Sequence, residues 1–441
     1  MRAVKTYQIE DTELTKRKLL FWAQQFEQIC VLESNSLTAN KESADRYSSL
    51  DCTIALGAHS ELRGSGDNDF EKLKSYIEEI GDWVFGYLTY DLKNQIEDLS
   101  SNHLDIQGFA TLHFFQPEII CELTEGKLKF KYLKETKSTE EIDQLFADIQ
   151  EAVPTVADHP FIEVAPRMTR EEYINSVDRL KQHIAYGDIY EVNFCQEFFC
   201  HEVAIDPLPI YERLNNLSKA PFSTFYRDRT RYLLSASPER FMKKEGSTLL
   251  SQPIKGTKRR GDSEDLDMLY REELEKSEKE RSENVMVVDL VRNDLSKSAV
   301  KGSVTVEELF GIYTFEQVHQ MISTVKCELR PDVHPIDALK NAFPMGSMTG
   351  APKVRAMKLI EQYELTRRGL YSGAVGYITP ELDFDFNVVI RSILYNAEKR
   401  YLSFMVGGAI TDMSEPEAEY DECMVKAKAL FEVLSNKESV H

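Results

Sequence analysis

Strand-like runs and helices alternate irregularly along the 441 residues of this chain, and that pattern limits the fold more than any single motif. Residues 83–90 and 371–378 alternate as strands with one buried face do. A helix is predicted after Thr169, because Thr169 and Glu172 form a capping box and apolar positions then repeat at helical spacing up to Gly187. This irregular order favours an α+β fold with mainly antiparallel sheets over a regular parallel fold.

Further elements are predicted in the second half of the chain. A long charged helix is expected over residues 263–291, and Pro352 suits the start of a helix over residues 353–363. Strands are expected over residues 386–395 and 401–406, followed by a final helix. That last helix is predicted over residues 417–434.

Prolines at 154, 160 and 166 interrupt a segment without periodicity, which makes residues 153–167 the best candidate for a domain boundary. The length exceeds that of one ordinary domain, and a hydrophobic content of 42% can fill a large core. We therefore expect an N-terminal lobe over residues 1–160 and a second domain over residues 166–436.

The chain is strongly acidic, with a formal net charge of −21. Nucleic acids and acidic membranes bind basic surfaces, so we expect neither as a partner. No apolar run approaches the length of a membrane span. The seven cysteines are odd in number and form no CxxC pair, which indicates a reducing, cytoplasmic setting.

Two charged side chains are candidates for catalysis. Lys255 lies between Pro253 and Gly256, which would hold the backbone close to a ligand and direct the lysine toward it. Glu239 follows a strand-like run and could act as a general acid or base. The alternatives are a solvated lysine in a surface turn and a simple ion pair between Glu239 and Arg240.

Two pairs of glutamates are candidates for a metal site. Glu280 and Glu283 are three residues apart on a predicted helix, and Glu419 and Glu422 repeat this spacing on the last helix. Such carboxylates suit Mg²⁺, which takes one or two carboxylates, water and oxygens of an anionic substrate. Either pair alone could instead be an ordinary solvated helix face.

Several other residues could bind an anion. The glycine-rich loop of residues 341–353, which contains Ser347, enters a helix and offers free backbone amides. Gly407 and Gly408 offer a second approach for backbone amides, and Arg391 is a candidate carboxylate ligand within an apolar strand. His319 is a lone histidine in a mixed polar and apolar run, a setting that is more often structural than catalytic.

From about residue 166 to residue 434 the chain closely resembles the chorismate-utilising family that includes anthranilate synthase component I, aminodeoxychorismate synthases, isochorismate synthases and salicylate synthases. The resemblance implies the fold of anthranilate synthase component I, with large, mainly antiparallel β-sheets packed as a sandwich and helices outside. It also implies that residues 166–436 form a chorismate-binding catalytic domain. The matching motifs are SPERF at Ser237, PIKGT at Pro253, KERSENVMVVDLVRND at Lys279, FPMGSMTGAPKVRAM at Phe343, YSGAVGY at Tyr371 and VGGAITDMSEPEAEYDE at Val406.

The resemblance also implies roles for the candidate residues. Mg²⁺ would be held by Glu283 and Glu422, while Glu280 and Glu419 order its waters, and the metal would neutralise the ring carboxylate of chorismate. Groups that hold the enolpyruvyl carboxylate are matched by Tyr371, Arg391, Gly407 and Gly408. The chorismate ring is lined by Gly256 and Thr257, and His319 matches a histidine linked to pyruvate elimination in anthranilate synthases.

Within the family, Lys255 resembles the lysine of the members that aminate chorismate at C4. Such a lysine adds to C2 of the ring as the C4 hydroxyl leaves with a proton from Glu239. Ammonia then attacks C4 and resolves this covalent adduct. The expected product is 4-amino-4-deoxychorismate, the precursor of p-aminobenzoate and folate. The alternative is an anthranilate synthase component I, which forms anthranilate and pyruvate.

The position of Glu191 departs from the family. Water-adding members carry lysine there, which argues against isochorismate or salicylate synthesis, and ammonia-using members usually carry glutamine. Lys255 must be neutral to attack, and we expect burial together with Lys258, Arg259 or Arg260 to lower its pKa. A non-catalytic member of the family, acting as a binding or regulatory subunit, is a third possibility.

Ammonia would come from a glutamine amidotransferase subunit, because none of the cysteines lies in the Gly-x-Cys-x-Gly elbow of a glutaminase. In the N-terminal part, residues 32–34 resemble one side of a tryptophan pocket. The matching segment at residues 220–226 departs from the version found in anthranilate synthases. We therefore expect a structural or vestigial pocket there.

Overall fold

The structure is a computed structural model that describes residues 2–35, 47, 51–154, 161–316 and 318–435. Within these described residues, six strands and four α-helices belong to the N-terminal part. The strands are β1 (Arg2–Gln8), β2 (Gln28–Glu33), β3 (Cys52–Arg63), β4 (Val84–Leu88), β5 (Leu112–Thr124) and β6 (Lys127–Leu133). The helices are α1 (Thr12–Ala23), α2 (Asp69–Ile80), α3 (Lys93–Ile96) and α4 (Thr139–Glu151).

The remainder of the described chain is richer in strands. Its strands are β7 (Ala165–Pro166), β8 (Glu191–Cys200), β9 (Phe222–Asp228), β10 (Arg231–Ser237), β11 (Arg240–Glu245), β12 (Thr248–Gln252), β13 (Ile254–Arg259), β14 (Thr305–Thr314), β15 (Val318–Glu328), β16 (Gly350–Ala351), β17 (Ala374–Ile378), β18 (Phe384–Val388), β19 (Ser392–Asn396) and β20 (Tyr401–Ile410). Its helices are α5 (Arg170–Tyr186), α6 (Pro207–Ser218), α7 (Glu264–Lys276), α8 (Glu278–Ser296), α9 (Pro335–Ala342), α10 (Lys353–Tyr363) and α11 (Pro416–Leu434).

Every pairing between these named strands is antiparallel within the described residues. The predicted α+β fold with mainly antiparallel sheets is therefore confirmed. Strands of the two predicted domains also pair directly, since β2 pairs with β9 and β4 pairs with β17. The division near residue 160 stays a prediction, and residues 155–160 lie outside the described part of the chain.

Local sequence signals determine several helix ends. Thr169 and Glu172 form the predicted capping box of α5, and Gly187 ends that helix with φ +90°. The prediction of one helix over residues 263–291 is wrong, because the chain breaks at Ser277. That residue has extended backbone angles, and its hydroxyl accepts a hydrogen bond from the Glu280 amide at the start of α8.

The strand predicted over residues 386–395 is also interrupted. β18 ends at Val388, and Arg391, whose φ of +50° is left-handed, directly precedes the start of β19 at Ser392. Arg391 is therefore not embedded in a continuous strand but lies at the corner between two strands. In the part of the chain that the structure describes, no helix has both the length and the apolar content needed to cross a bilayer.

Candidate active site

Most of the residues singled out in the sequence line one cavity of about 580 Å³. Its walls come from β13 and β20, from α8 and α11, and from the loops that follow β10 and precede β16. Residues more than 180 positions apart in sequence therefore meet at one site. The predicted residues on its wall are Glu239, Lys255, Gly256, Thr257, Glu280, Glu283, Ser347, Tyr371, Arg391, Gly407, Glu419 and Glu422.

Lys255 reaches this cavity from a bulge in β13. The register of β13 against β15 shifts between Ile254 and Thr257, so Lys255 and Gly256 stand out of the regular ladder. Gly256 has φ +98°, and a Cβ there would come within 3.1 Å of Oε2 of Glu280. Only glycine fits this backbone conformation so close to a carboxylate. Lys255 thus faces the cavity beside Gly256, and its orientation toward a ligand stays a prediction.

The main partner of Lys255 is Glu191. Lys255 Nζ donates a hydrogen bond to Oε1 of Glu191 at 2.7 Å, and the side chains of Lys255 and Glu191 are 12% and 5% exposed. Burial lowers the pKa of Lys255, but the carboxylates of Glu191, Glu283 and Glu239 outweigh this effect and raise that pKa above its usual value. The expectation of a lowered pKa is therefore wrong.

The basic residues that were expected to lower this pKa have partners of their own. Lys258 pairs with Glu273, Arg259 donates to the Tyr270 hydroxyl, and Arg260 binds Asp267 with two nitrogens. The cations next to Lys255 in sequence are thus engaged with other side chains, although Arg259 lines the same cavity.

Glu239 lies on the same cavity in an apolar setting and is 5% exposed. Burial raises its pKa to about 7, although the Ser347 hydroxyl and the charge of Lys255 act in the opposite direction. The alternative ion pair between Glu239 and Arg240 does not form, because Arg240 binds Asp385. Glu239 can therefore carry a proton near neutral pH and release it within the cavity.

The four glutamates predicted for a metal site also meet at this cavity. Glu280 and Glu283 project from α8, and Glu419 and Glu422 project from α11. Burial raises the pKa of Glu280 and of Glu419, and it raises that of Glu283 to about 7. Burial acts on Glu422 as well, but Lys426 at 2.8 Å outweighs it and lowers its pKa.

This set of oxygen donors has the chemistry that a divalent cation requires, although among the described residues no three of the four carboxylates come within 4.8 Å of one another. Three of the four carboxylates are harder to ionise than free glutamate, which shows that their negative charge is only partly compensated by the protein. Two lysines lie nearby, since Lys279 approaches Glu283 at 4.0 Å and Lys426 pairs with Glu422. Hard carboxylate oxygens of this kind are the usual protein ligands of Mg²⁺.

A second group of potential metal ligands lies elsewhere. Glu61, His113 and Asp228 bring one ligand atom each to within 4.8 Å of the others. Arg63 forms hydrogen bonds with both carboxylates, and Arg229 adds a second cation at Glu61. These guanidinium groups already neutralise the cluster, which makes it an ion-pair network between strands rather than a cation site.

Arg391 brings an unmatched positive charge to the cavity. Among the described residues, neither a hydrogen bond nor an ion pair reaches its side chain, and burial lowers the pKa of the guanidinium. A buried cation without a protein partner favours an anionic ligand. Tyr371 also lines this region, and its hydroxyl lies 3.5 Å from Sγ of Cys195.

The two glycines of β20 lie close to these groups. A Cβ on Gly407 would come within 2.0 Å of the Phe194 carbonyl oxygen of β8, so this position requires glycine. Gly408 is not part of the cavity wall among the described residues. A Cβ there would lie 3.4 Å from Oε2 of Glu419, beside the acidic cluster.

His319 lies apart from the other predicted residues. Its neighbours Val318 and Gln320 line the cavity, whereas the His319 ring contacts the Asp267 carboxylate and the Thr314 hydroxyl, both at 2.9 Å. Since side chains alternate along β15, His319 faces α7 instead of the ligand space. A catalytic role for His319 stays a prediction, since the contacts of its ring are with protein side chains outside the cavity.

Sequence reasoning missed two residues of the cavity wall, Lys426 and Gln320, and it missed the contact between Glu191 and Lys255. The contact between Glu191 and Lys255 depends on sheet geometry and gives no local signal. Lys426 could have been found from its spacing of four residues from Glu422 on a helix, and Gln320 from strand alternation. Lys426 Nζ also donates to the Gly407 carbonyl oxygen, which connects α11 to β20.

In the segment that resembles a tryptophan pocket, other residues of the chain already form hydrogen bonds with the Glu33 carboxylate. Glu33 lies opposite Ser223 in the pairing of β2 with β9. Its carboxylate accepts hydrogen bonds from Lys16 at 2.7 Å and from Asn215 at 2.9 Å. A lysine of the chain itself thus supplies the ammonium group at this carboxylate, which supports the expectation of a structural or vestigial pocket.

Comparison with known proteins agrees with this geometry. Residues 13–432 match the family of chorismate binding enzymes, so the chain belongs to that family. An aminodeoxychorismate synthase of Streptomyces griseus is 34% identical over 388 residues, which cover 83% of this chain and 53% of that protein. The aminodeoxychorismate synthase component 1 of Salmonella typhimurium is 40% identical over 269 residues, which cover 61% of this chain and 59% of that protein.

The chain thus spans little more than half the length of these two relatives. A solved structure of anthranilate synthase component I from Streptococcus pneumoniae has a TM-score of 0.75 to this chain. It shares 24% sequence identity, and the match covers 86% of this chain and 91% of that one. The predicted anthranilate synthase component I-like fold is therefore confirmed.

Proposed function

We propose that this chain aminates chorismate at C4 to give 4-amino-4-deoxychorismate. The observation that carries this proposal is a buried lysine, Lys255, on the same cavity as Glu239, whose pKa of about 7 suits a general acid. Amination at C4 through a covalent adduct needs a nucleophile that adds to C2 of the ring and an acid that protonates the departing hydroxyl. The similarity to aminodeoxychorismate synthases supports the same reaction.

The residues of the cavity would have different roles in this reaction. Arg391, Tyr371 and the Gly407–Gly408 backbone would hold the enolpyruvyl carboxylate, while Gly256 and Thr257 line the ring. Lys255 Nζ would bond to C2 as the hydroxyl at C4 leaves with the proton of Glu239. Ammonia would then attack C4 and expel the lysine, and Glu239 would take the proton that ammonia loses.

Mg²⁺ would be held by Glu283 and Glu422, with Glu280 and Glu419 ordering its waters. A bound divalent cation supplies positive charge that neutralises the carboxylate on the chorismate ring. The ring carboxylate of the substrate would thus lie beside the metal, and the enolpyruvyl carboxylate would lie beside Arg391. Ser347, on the glycine-rich loop near Glu239, would line the space between them.

A separate glutamine amidotransferase subunit would supply the ammonia, and free ammonia at high concentration would replace it. The cavity contains carboxylates, a lysine and an arginine, but its wall within the described residues includes no cysteine that could hydrolyse glutamine. All seven cysteines are free thiols, which is consistent with the proposed reducing, cytoplasmic setting.

The test is to identify the product formed from chorismate, Mg²⁺ and ammonium. We expect 4-amino-4-deoxychorismate without release of pyruvate. Anthranilate together with pyruvate would overturn the proposal and would make this chain an anthranilate synthase component. The absence of turnover with the amidotransferase and ammonium both present would support a binding subunit instead.

A further inference from the structure

Glu191 holds Lys255 from behind the cavity wall. Its backbone lies at the start of β8, opposite Ala351 of β16. A Cβ on Gly350 would come within 2.1 Å of the Glu191 carbonyl oxygen, so the two strands pack here without room for a side chain. The Glu191 side chain is 5% exposed, and its Oε1 lies 2.7 Å from Lys255 Nζ.

The lysine separates this carboxylate from the ligand space. Lys255 lines the cavity, whereas Glu191 is not on its wall among the described residues. Lys255 also supplies the side-chain hydrogen bond to the Glu191 carboxylate. On the other side, the Asn284 amide lies 3.4 Å from the Lys255 carbonyl oxygen and restrains its backbone. The amine is therefore held between Glu191 and the cavity.

The charges around Lys255 favour its protonated form. They therefore do not supply the neutral amine that attack on C2 requires. Carboxylates face it from β8 (Glu191), from the turn after β10 (Glu239) and from α8 (Glu283). The cations nearest in sequence are paired with other groups, as described above. Lys255 can become a nucleophile only by passing a proton to a neighbour, and Glu191 is the neighbour within hydrogen-bond distance.

We propose that Glu191 is the positioning residue of Lys255 and accepts one proton from Nζ when Nζ bonds to C2 of chorismate. The inference rests on the function proposed above. In the first step the Nζ–C2 bond forms, the two ring double bonds shift, and the C4–O bond breaks as water leaves with the proton of Glu239. In the second step ammonia bonds to C4, the Nζ–C2 bond breaks, and Glu191 returns the proton to Lys255.

The test follows the covalent adduct by intact mass after rapid quenching, with chorismate and Mg²⁺ present and ammonia absent. In Glu191→Gln we expect adduct formation to slow by roughly 100-fold, the size of a typical general-base contribution. The KM for chorismate should stay within about twofold of the wild-type value, because Glu191 does not contact the substrate. Glu191→Asp keeps the carboxylate and should restore at least part of the rate.

Glu197→Gln is the matched control. It removes another buried carboxylate of β8, one that pairs with Arg167 away from the cavity, and it should form the adduct at the wild-type rate. Adduct formation at the wild-type rate in Glu191→Gln would overturn the role of Glu191 and leave the proposed function intact. If Glu191→Gln does not fold, Glu191→Ala is the second variant, and adduct formation at the wild-type rate in Glu191→Ala would overturn it. A wild-type protein that forms product but no adduct would overturn the covalent mechanism itself.

Discussion

Lys255 and Glu239 face one cavity, and the proposed chemistry requires each of them in its less common protonation state. Glu239 reaches that state through burial, which raises its pKa to about 7. Lys255 does not, because the carboxylates around it outweigh its burial and raise its pKa. Burial alone thus gives Glu239 the pKa that its proposed role needs. Lys255 instead needs a proton acceptor, and in this proposal that acceptor is Glu191 at 2.7 Å.

The pH dependence of the reaction should follow Glu239. An acid with a pKa of about 7 is protonated below that pH and ionised above it, so kcat should fall as the pH rises through about 7. Glu239→Gln should lower kcat by at least roughly 100-fold, because the amide has no acidic proton to give. Steady-state kinetics between pH 6 and pH 9 would check both results. A flat profile, or an active Glu239→Gln variant, would contradict this role.

The sequence singled out side chains that line one cavity, but it did not indicate their partners. Pro253 and Gly256 mark Lys255 because proline and glycine restrict and release the backbone within three residues. The contact with Glu191 joins residues 64 positions apart, across a bulge in β13 and the pairing of β8 with β16. Local patterns contain no information about such a contact, and the expected effect of Lys258 on Lys255 was wrong for that reason.

At the level of elements, two interruptions shape the cavity. The break at Ser277 divides the helix predicted over residues 263–291, so that α8 starts one turn before Glu283. The left-handed residue Arg391 divides the strand predicted over residues 386–395 and places its own side chain at the cavity. Charge and apolar alternation continue through both points, which is why periodicity alone predicted continuous elements.

The cap at Ser277 should stabilise α8 measurably. Ser277→Ala removes the acceptor for the Glu280 amide and should lower the free energy of unfolding by about 1 kcal/mol. Ser282→Ala is a suitable control, since Ser282 is exposed within the same helix and should change stability by less than about 0.5 kcal/mol. Denaturant unfolding of the three proteins would compare them, and equal midpoints for both variants would contradict the capping role.

At the level of the whole molecule, negative charge is concentrated at the cavity where the proposed substrate, itself an anion, would bind. The chain has a net charge of −21, and four glutamates line the same cavity as Arg391. Strands from both predicted domains contribute to the sheet around it, since β2 pairs with β9 and β4 with β17. A bound cation would therefore compensate charge that the fold itself leaves partly unbalanced.

Mg²⁺ should stabilise the protein more at high pH than at low pH. The folded state raises the pKa of Glu283 to about 7, so it binds protons more tightly than the unfolded chain. Stability without metal should consequently fall as the pH rises from about 4.5 to about 7. Mg²⁺ should raise Tm more at pH 8 than at pH 6 in a thermal scan. Glu283→Gln should reduce this increase, and an equal increase in the variant would contradict the assignment.

The most direct test of the account is the mass of the protein after quenching in the presence of chorismate and Mg²⁺ without ammonia. The wild-type chain should gain the mass of chorismate minus one water, and peptide mapping should place that mass on Lys255. Lys255→Ala should show no adduct and should not form 4-amino-4-deoxychorismate when ammonium is added. An adduct on another residue, or amination by Lys255→Ala at the wild-type rate, would contradict the central claim.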